Sequence, residues 1–295
     1  MARIYFNRYR IFLLLIIALC VNKLAYAQSS IPFTITAQGH IMVKASINGV
    51  EGNFIFDTGA GLTAITKTFA SKINGVTKED GDLTSFRATG EKMSVDLYKA
   101  VSLSLGSFVE QKPQLTIVDA NLGEIDGLVS LMSFRNQPFT IDYNKKQIIF
   151  ETTKTLAAIK KQGWVVPLQM DISRDKTLDV FVYVVVNNKL TLQFCIDSGA
   201  GANIYRINGK YVSALGVDTA AAVKTYHPSE FNPQIKTVIY SANLQSLAIK
   251  GFPTINVQNV KTQFIDGLIY DGIVWLSWMG KQVTFDLPHS EMVVR

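Results

Sequence analysis

The 295-residue chain is 48% hydrophobic and 18% charged, and its 29 basic and 23 acidic residues give a formal net charge of +6. This excludes a disordered tail or a disulfide-stapled miniprotein, because a chain of this length and apolarity buries roughly 70–75% of the surface its unfolded form exposes. One large domain or two smaller ones is the expectation.

The chain begins with Arg3, Arg8 and Arg10 ahead of an apolar run, Ile11 to Val21, and then Ala25-Tyr26-Ala27. A positive end, a short apolar core and small residues at a cleavage point predict a secretory signal peptide over 1–27, and hence a periplasmic or secreted protein. Leu19 is bulky where a lipidated cysteine at Cys20 would need a small neighbour. Without Arg3, Arg8, Arg10 and Lys23 the balance is 25 basic to 23 acidic residues, or +2. So nearly neutral a remainder argues against nucleic acid as a partner. Cys195 would be the one cysteine left, between apolar Phe194 and Ile196, which predicts a small buried side chain and no internal disulfide. His40, His227 and His289 are scattered singly, so no metal site and no cofactor are expected.

The rest of the chain is organised by a repeat. Shifted by 140 residues, Asn48–Gly61 (NGVEGNFIFDTGAG) falls on Asn188–Gly201 (NKLTLQFCIDSGAG) with six identities in fourteen positions. The same shift lays Ile125-Asp126-Gly127-Leu128 on Ile265-Asp266-Gly267-Leu268. Each half closes on a strand-like run, Phe139-Thr140-Ile141-Asp142 and Val283-Thr284-Phe285-Asp286. Two units over 28–151 and 164–295 are therefore expected, joined by a Lys-rich linker at 152–163.

Within the units, alternation and β-branched content predict strands over Ile41–Ile47, Gly52–Phe56, Ser94–Leu105, Gln114–Val118 and Lys146–Glu151. In the second half the same signals fall on Val180–Val186, Leu190–Ile196, Thr237–Tyr240, Ala248–Val257 and Gln282–Phe285. Asn48-Gly49 and Asn187-Asn188 suit hairpin turns, which need positive φ. Helical spacing marks Leu62–Ile73 (Leu62, Ile65, Phe69, Ile73) and Ile273–Met279. The fold class is all-β, as two small lobes of one topology.

The chemistry is expected at Asp57-Thr58-Gly59-Ala60 and Asp197-Ser198-Gly199-Ala200, each following an apolar strand that ends in a carboxylate where an unpaired charge is costly. One such turn is commonplace; two at equivalent places in a repeat are not. If the units pack about a pseudo-twofold axis, Asp57 and Asp197 meet on it. Two carboxyls at one place cannot both ionise readily, so one keeps its proton and the pair supplies an acid and a base together. Gly59 and Gly199 permit the close approach, and the Thr58 and Ser198 hydroxyls can bond across the interface.

These motifs resemble those of the aspartic peptidases of the pepsin and retropepsin type. The Asp-Thr-Gly-Ala form is similar to the retroviral and bacterial retropepsin-like branch, and two copies in one chain are similar to the bilobed pepsin arrangement. The resemblance implies an endopeptidase with Asp57 and Asp197 as catalytic residues and Thr58, Gly59, Ser198 and Gly199 as dyad support. It further implies a polypeptide substrate and a monomer with an intramolecular pseudo-twofold. A β-hairpin flap is also implied, over Phe86–Met93 with Ala88, Thr89 and Gly90 at its tip, and Tyr226–Pro233 is the comparable stretch of the second unit. In the family an apolar pair behind each aspartate ends in glycine; Ser130 follows Leu128-Val129 and Tyr270 follows Leu268-Ile269. Either Tyr270 shifts the local backbone or the role moves to Asp271-Gly272.

Three other readings meet obstacles in the residues. Gly59-x-Gly61-x-x-Ala64 fits a dinucleotide fingerprint, but the second copy breaks it and the long alternating helices are missing. Ser198 as a hydrolase nucleophile lacks the preceding glycine, since Ile196 stands there. A catalytically inactive peptide-binding protein on the same fold is separated from a protease by its lack of turnover.

Overall fold

The computed structural model of the chain describes residues 29–220, 222–228, 234 and 236–295. The expected export signal and part of Tyr226–Pro233 lie outside them. The chain is mostly β, and among the described residues the strands form three sheets. One takes its strands from between Thr34 and Ser130, and a second from between Gln169 and Val274.

The third sheet draws on both halves. Its order is Ser30–Pro32, Gln147–Phe150, Phe139–Asp142, Gln282–Asp286, Glu291–Val294 and Trp164–Pro167, antiparallel throughout. At its centre Thr140 faces Thr284, with their hydroxyl oxygens 2.7 Å apart. The two runs that close the halves thus pair with each other.

Local patterning explains the individual strands. Ile41–Ile47 buries Ile41, Val43, Ala45 and Ile47 and turns Met42, Lys44 and Ser46 outward, the period-two signature of a strand covered on one face. It turns at Asn48 (φ 52°) and Gly49 (φ 82°) into Val50–Asp57, whose last four residues are all buried. Thr177–Val186 turns at Asn187 (φ 50°) and Asn188 (φ 55°) into Leu190–Ile196 in the same way.

From there the two halves share one wiring. After each aspartate the chain returns as a short strand, Ala64–Thr66 or Tyr205–Asn208, and later runs parallel to it in Gln114–Val118 or the end of Phe252–Ile265. It then inserts Gly127–Ser130 or Gly272–Val274 parallel to the aspartate-bearing strand. That last strand also pairs antiparallel with the return strand, so it is hydrogen-bonded on both edges.

Several expectations are corrected. Leu62–Ile73 is not one helix. Ala64–Thr66 is a fully buried strand between two others, and only Lys67–Ala70 is helical, capped by Thr66 Oγ1 accepting from the Phe69 amide. Sheet pairing overrides the helical spacing because residues 64–66 must be covered on both faces. Ile273–Met279 likewise begins as a strand, Gly272–Val274, beside Leu190–Ile196. The run Ala248–Val257 is cut by a hairpin at Lys250-Gly251 (φ +82° at Gly251) into the ends of two 14-residue strands, Lys236–Ile249 and Phe252–Ile265. In the first half four shorter strands, Lys92–Lys99, Ser102–Leu105, Phe108–Gln111 and Gln114–Val118, occupy that part of the wiring.

Residues 153–160 form a helix with a capping box between Thr152 and Thr155. It buries Leu156 and Ile159, and its last residue, Lys160, reaches Asp286 Oδ2 at 2.5 Å and Glu291 Oε2 at 2.6 Å.

Phenylalanines join the aspartate strand to the central sheet. The Phe56 ring lies 5.4 Å from Phe139, which stacks on Phe285 at 5.2 Å. All three are fully buried.

Candidate active site

Asp57 ends its strand and Asp197 follows the equivalent one, so each carboxylate is delivered from a strand held on both sides. Val129 lies across from Phe56, and Val274 across from Ile196. The pairing corrects the repeat register. Gly127 sits opposite Phe54 and Gly272 opposite Phe194, so the partner of Asp126-Gly127 is Asp271-Gly272, not Asp266-Gly267. The side chains agree: Asp126 Oδ2 accepts from the Asn53 amide at 2.9 Å, and Asp271 Oδ2 from the Gln193 amide at 3.4 Å.

It follows that Trp275, not Tyr270, stands at the place of Ser130. Ser130 is fully buried and useful there. Its hydroxyl donates to the Ala60 carbonyl at 2.5 Å and accepts from the Met132 amide at 3.1 Å, tying the aspartate loop to the strand behind it. Tyr270 instead packs its ring on Phe181 and donates from its hydroxyl to Asp179 Oδ1 at 3.3 Å.

The two motif loops are locked reciprocally. Thr58 Oγ1 donates to the Ile196 carbonyl (2.7 Å) and accepts from the Ser198 amide (2.9 Å). Ser198 Oγ donates to the Phe56 carbonyl (2.7 Å) and accepts from the Thr58 amide (3.0 Å). Both side chains are fully buried, where four satisfied bonds hold and any broken one exposes an unpaired group. Behind this lock, each glycine lies against the opposite carboxyl. A Cβ on Gly59 would fall 2.5 Å from Asp197 Cγ, and one on Gly199 2.4 Å from Asp57 Cγ. Only glycine fits there, and the carboxyls are thereby brought together.

The electrostatics follow. Asp57 Oδ1 accepts from the Gly59 and Ala60 amides at 2.9 and 3.1 Å, which favours its ionised form. Burial and the adjacent Asp197 charge outweigh them and hold the Asp57 carboxyl above the usual carboxylate range. Asp197 is also raised by burial, against the opposing pull of the Arg206 guanidinium. Asp197 Oδ1 is buried with no hydrogen-bond partner among the described residues, a place that a proton held by Asp57 would suit.

The expected flap is a hairpin of Thr77–Phe86 and Lys92–Lys99, with Ala88, Thr89 and Gly90 in its turn. The turn closes through the Gly90 amide donating to the Arg87 carbonyl (2.8 Å), with Gly90 at φ +85°. Its tip reaches the second half. The Ala88 carbonyl accepts from the Ile269 amide at 3.0 Å, and Ala88 packs with Tyr270 and Ala200 on a small cluster that includes Phe181 and Cys195. In the second half Val223–Pro228 pairs with Lys236–Ile249, and the turn between, apart from residue 234, lies outside the described residues.

Residues 43–132 match the family model for aspartyl protease. The matched stretch runs from the strand before Asp57 through Ser130, and it supports an aspartic protease family and peptide hydrolysis. A solved structure titled "Crystal structure of edgp" aligns over 91% of this chain and 95% of its own, at 10% identity and a TM-score of 0.49. No curated protein matches the chain.

His40, Asp179, Arg206 and Trp275 were not singled out by sequence as site neighbours. Each is placed by strand register, for which a single sequence offers no local signal.

Proposed function

We propose that the chain is an exported aspartic endopeptidase with a bilobed, pepsin-like architecture. In this reading its lobes, 28–151 and 164–295, contribute one aspartate each to a single site, and it works as a monomer. The observation that carries the reading is the reciprocal lock of Thr58 and Ser198, with Gly59 and Gly199 each against the opposite aspartate. It makes two distant motifs one dyad.

Such a pair hydrolyses an amide when it holds one proton. The ionised carboxylate removes a proton from water as the oxygen bonds to the carbonyl carbon, and the protonated carboxyl donates to the carbonyl oxygen. When the carbon–nitrogen bond breaks, the nitrogen leaves with the proton taken from water, and the hydroxyl of the tetrahedral species returns the other. An extended peptide lies between the dyad and the Ala88-Thr89-Gly90 turn, in strand-like contact.

Asp57→Asn and Asp197→Asn are each expected to lower cleavage of an unstructured protein at least ~10³-fold, as loss of a member of a concerted catalytic unit does, with the circular dichroism spectrum unchanged. Undiminished turnover in either variant defeats the proposal. Saturable peptide binding by the wild-type protein, with no new amino termini across pH 3 to 8, would instead identify a binding protein on the same scaffold; that interval is roughly where a coupled carboxyl pair titrates.

A further inference from the structure

In a symmetric surrounding neither carboxyl of the dyad would be preferred as base. The surroundings here are not symmetric, and two pairs of equivalent positions show it. Ala64 lies opposite Leu128, the residue before Val129, and Arg206 lies opposite Ile273, the residue before Val274. Val129 and Val274 face the residues preceding Asp57 and Asp197. Ala64 and Arg206 thus hold one place in the two halves, neutral on one side and cationic on the other.

The second pair is His40 and Asp179. Met42 is opposite Ile55, and Phe181 is opposite Cys195, so residues 40 and 179 each stand two positions before equivalent points. Each reaches across to the other half's aspartate loop. His40 Nε2 lies 3.4 Å from where a Cβ on Gly201 would be, and Asp179 Oδ1 lies 3.5 Å from the corresponding point on Gly61. The loops dock here too: the Ala202 amide donates to the Gln38 carbonyl at 2.8 Å, and the Leu178 amide to the Gly61 carbonyl at 3.0 Å.

Both differences have the same sense. The equivalent positions hold a guanidinium and an imidazole on the Asp197 side, and a methyl group and a carboxyl on the Asp57 side. Arg206 is half-buried, its Nε donates to Gln263 Oε1 at 3.3 Å, and burial lowers its pKa while the Asp197 charge raises it. A desolvated cation of that kind acts strongly on the nearest negative charge.

We propose that Arg206, assisted by His40 and opposed across the axis by Asp179, polarises the dyad so that Asp197 is the base and Asp57 the acid. This rests on the protease reading above and specifies its proton path. Asp197 takes the proton from water, Asp57 gives its proton to the carbonyl oxygen, Asp197 passes its proton to the departing nitrogen, and Asp57 recovers one from the hydroxyl of the tetrahedral species.

The shifts run the same way. Burial and then the Asp197 charge raise Asp57, while Arg206 is the foremost influence holding Asp197 down. The other ionisable groups facing the pair do not reverse this. Burial lowers His40, so it gains charge only toward acid pH. Burial also raises Asp179, which accepts from the Tyr270 hydroxyl. Tyr270, Cys195 and Tyr205 are all pushed upward by burial and stay neutral.

The test is the pH profile of kcat/KM for the full chain on a denatured protein substrate. Arg206→Gln is expected to move the acid limb upward by about one pH unit, the lower end of what a close opposite charge contributes, and Arg206→Lys to return most of it. A limb that stays in place while Arg206→Gln slows cleavage equally at every pH overturns the proposal. Carboxyl 13C NMR of the wild-type protein reads the same assignment without turnover or mutation: Asp197 should ionise at lower pH than Asp57, and the reverse order or coincident midpoints overturn it. Failure of the protease reading is separate, since it is detected by cleavage that survives Asp57→Asn or Asp197→Asn.

Discussion

At the residue scale the site is governed by how little space two carboxyls have. Gly59 and Gly199 leave no room for a Cβ, and Thr58 and Ser198 have no freedom left to rotate, so the aspartates cannot move apart to relieve their repulsion. The relief comes from the retained proton. Asp57 has a higher pKa in the folded protein than in the unfolded chain. Its contribution to stability is therefore fully present below the unfolded value, about pH 4, and is lost as pH rises through the folded value. Asp57→Asn removes that loss, so the variant should exceed the wild type in stability at pH 8 by at least about 1 kcal/mol, the worth of one pKa unit, with the advantage shrinking toward pH 4. Urea denaturation at the two pH values measures it, and a pH-independent difference would contradict it.

The element scale separates what sequence shows from what it conceals. The strand-turn units at Asn48-Gly49 and Asn187-Asn188 and the motifs at Asp57 and Asp197 are local, and a single sequence displays them because turn chemistry and alternation act over a few residues. Register is not local. Ile125-Asp126-Gly127-Leu128 and Ile265-Asp266-Gly267-Leu268 look like copies, yet Asp126 bonds to Asn53, and its counterpart in bonding to the aspartate strand is Asp271, through Gln193. Only contacts some 75 residues apart in the chain distinguish them. The same limit hid the strand at Ala64–Thr66, whose neighbours come from residues 114–118 and 127–130.

The flap hairpin belongs to this scale as well. Gly90 has φ +85°, and a Cβ there would meet the Gly267 carbonyl oxygen at 2.5 Å. Gly90→Val should displace the tip from the second half, raise KM several-fold and change global stability by no more than about 1 kcal/mol, as expected of an exposed hairpin turn. Steady-state kinetics beside a melting curve separates the two effects, and an unchanged KM would count against a substrate-facing role for the turn.

For the whole molecule, the six-stranded sheet takes strands from both halves, and the helix at 153–160 leads into its last strand. Lys160 is the last residue of that helix, and it meets Asp286, a carboxylate with no exposed surface at the end of the central strand Gln282–Asp286. Removing one partner of a buried pair leaves the other uncompensated. Lys160→Met should cost about 2–3 kcal/mol, below the full penalty of a broken buried pair because His289 Nδ1 remains 2.8 Å from Asp286 Oδ1. Thermal unfolding gives the value, and a loss under about 0.5 kcal/mol, the range of ordinary surface changes, would show that Asp286 is supported otherwise.

The central seam of that sheet, with Thr140 facing Thr284, has the form of an isologous contact, in which the same patch of two subunits meets across a twofold axis. In a homodimer such a seam obliges both sides to carry identical residues: an arginine beside one aspartate would be an arginine beside the other. A tandem chain is under no such obligation. With Arg206 against Ala64 and His40 against Asp179, the seam keeps the geometry of a symmetric pair while each side is free to differ in charge.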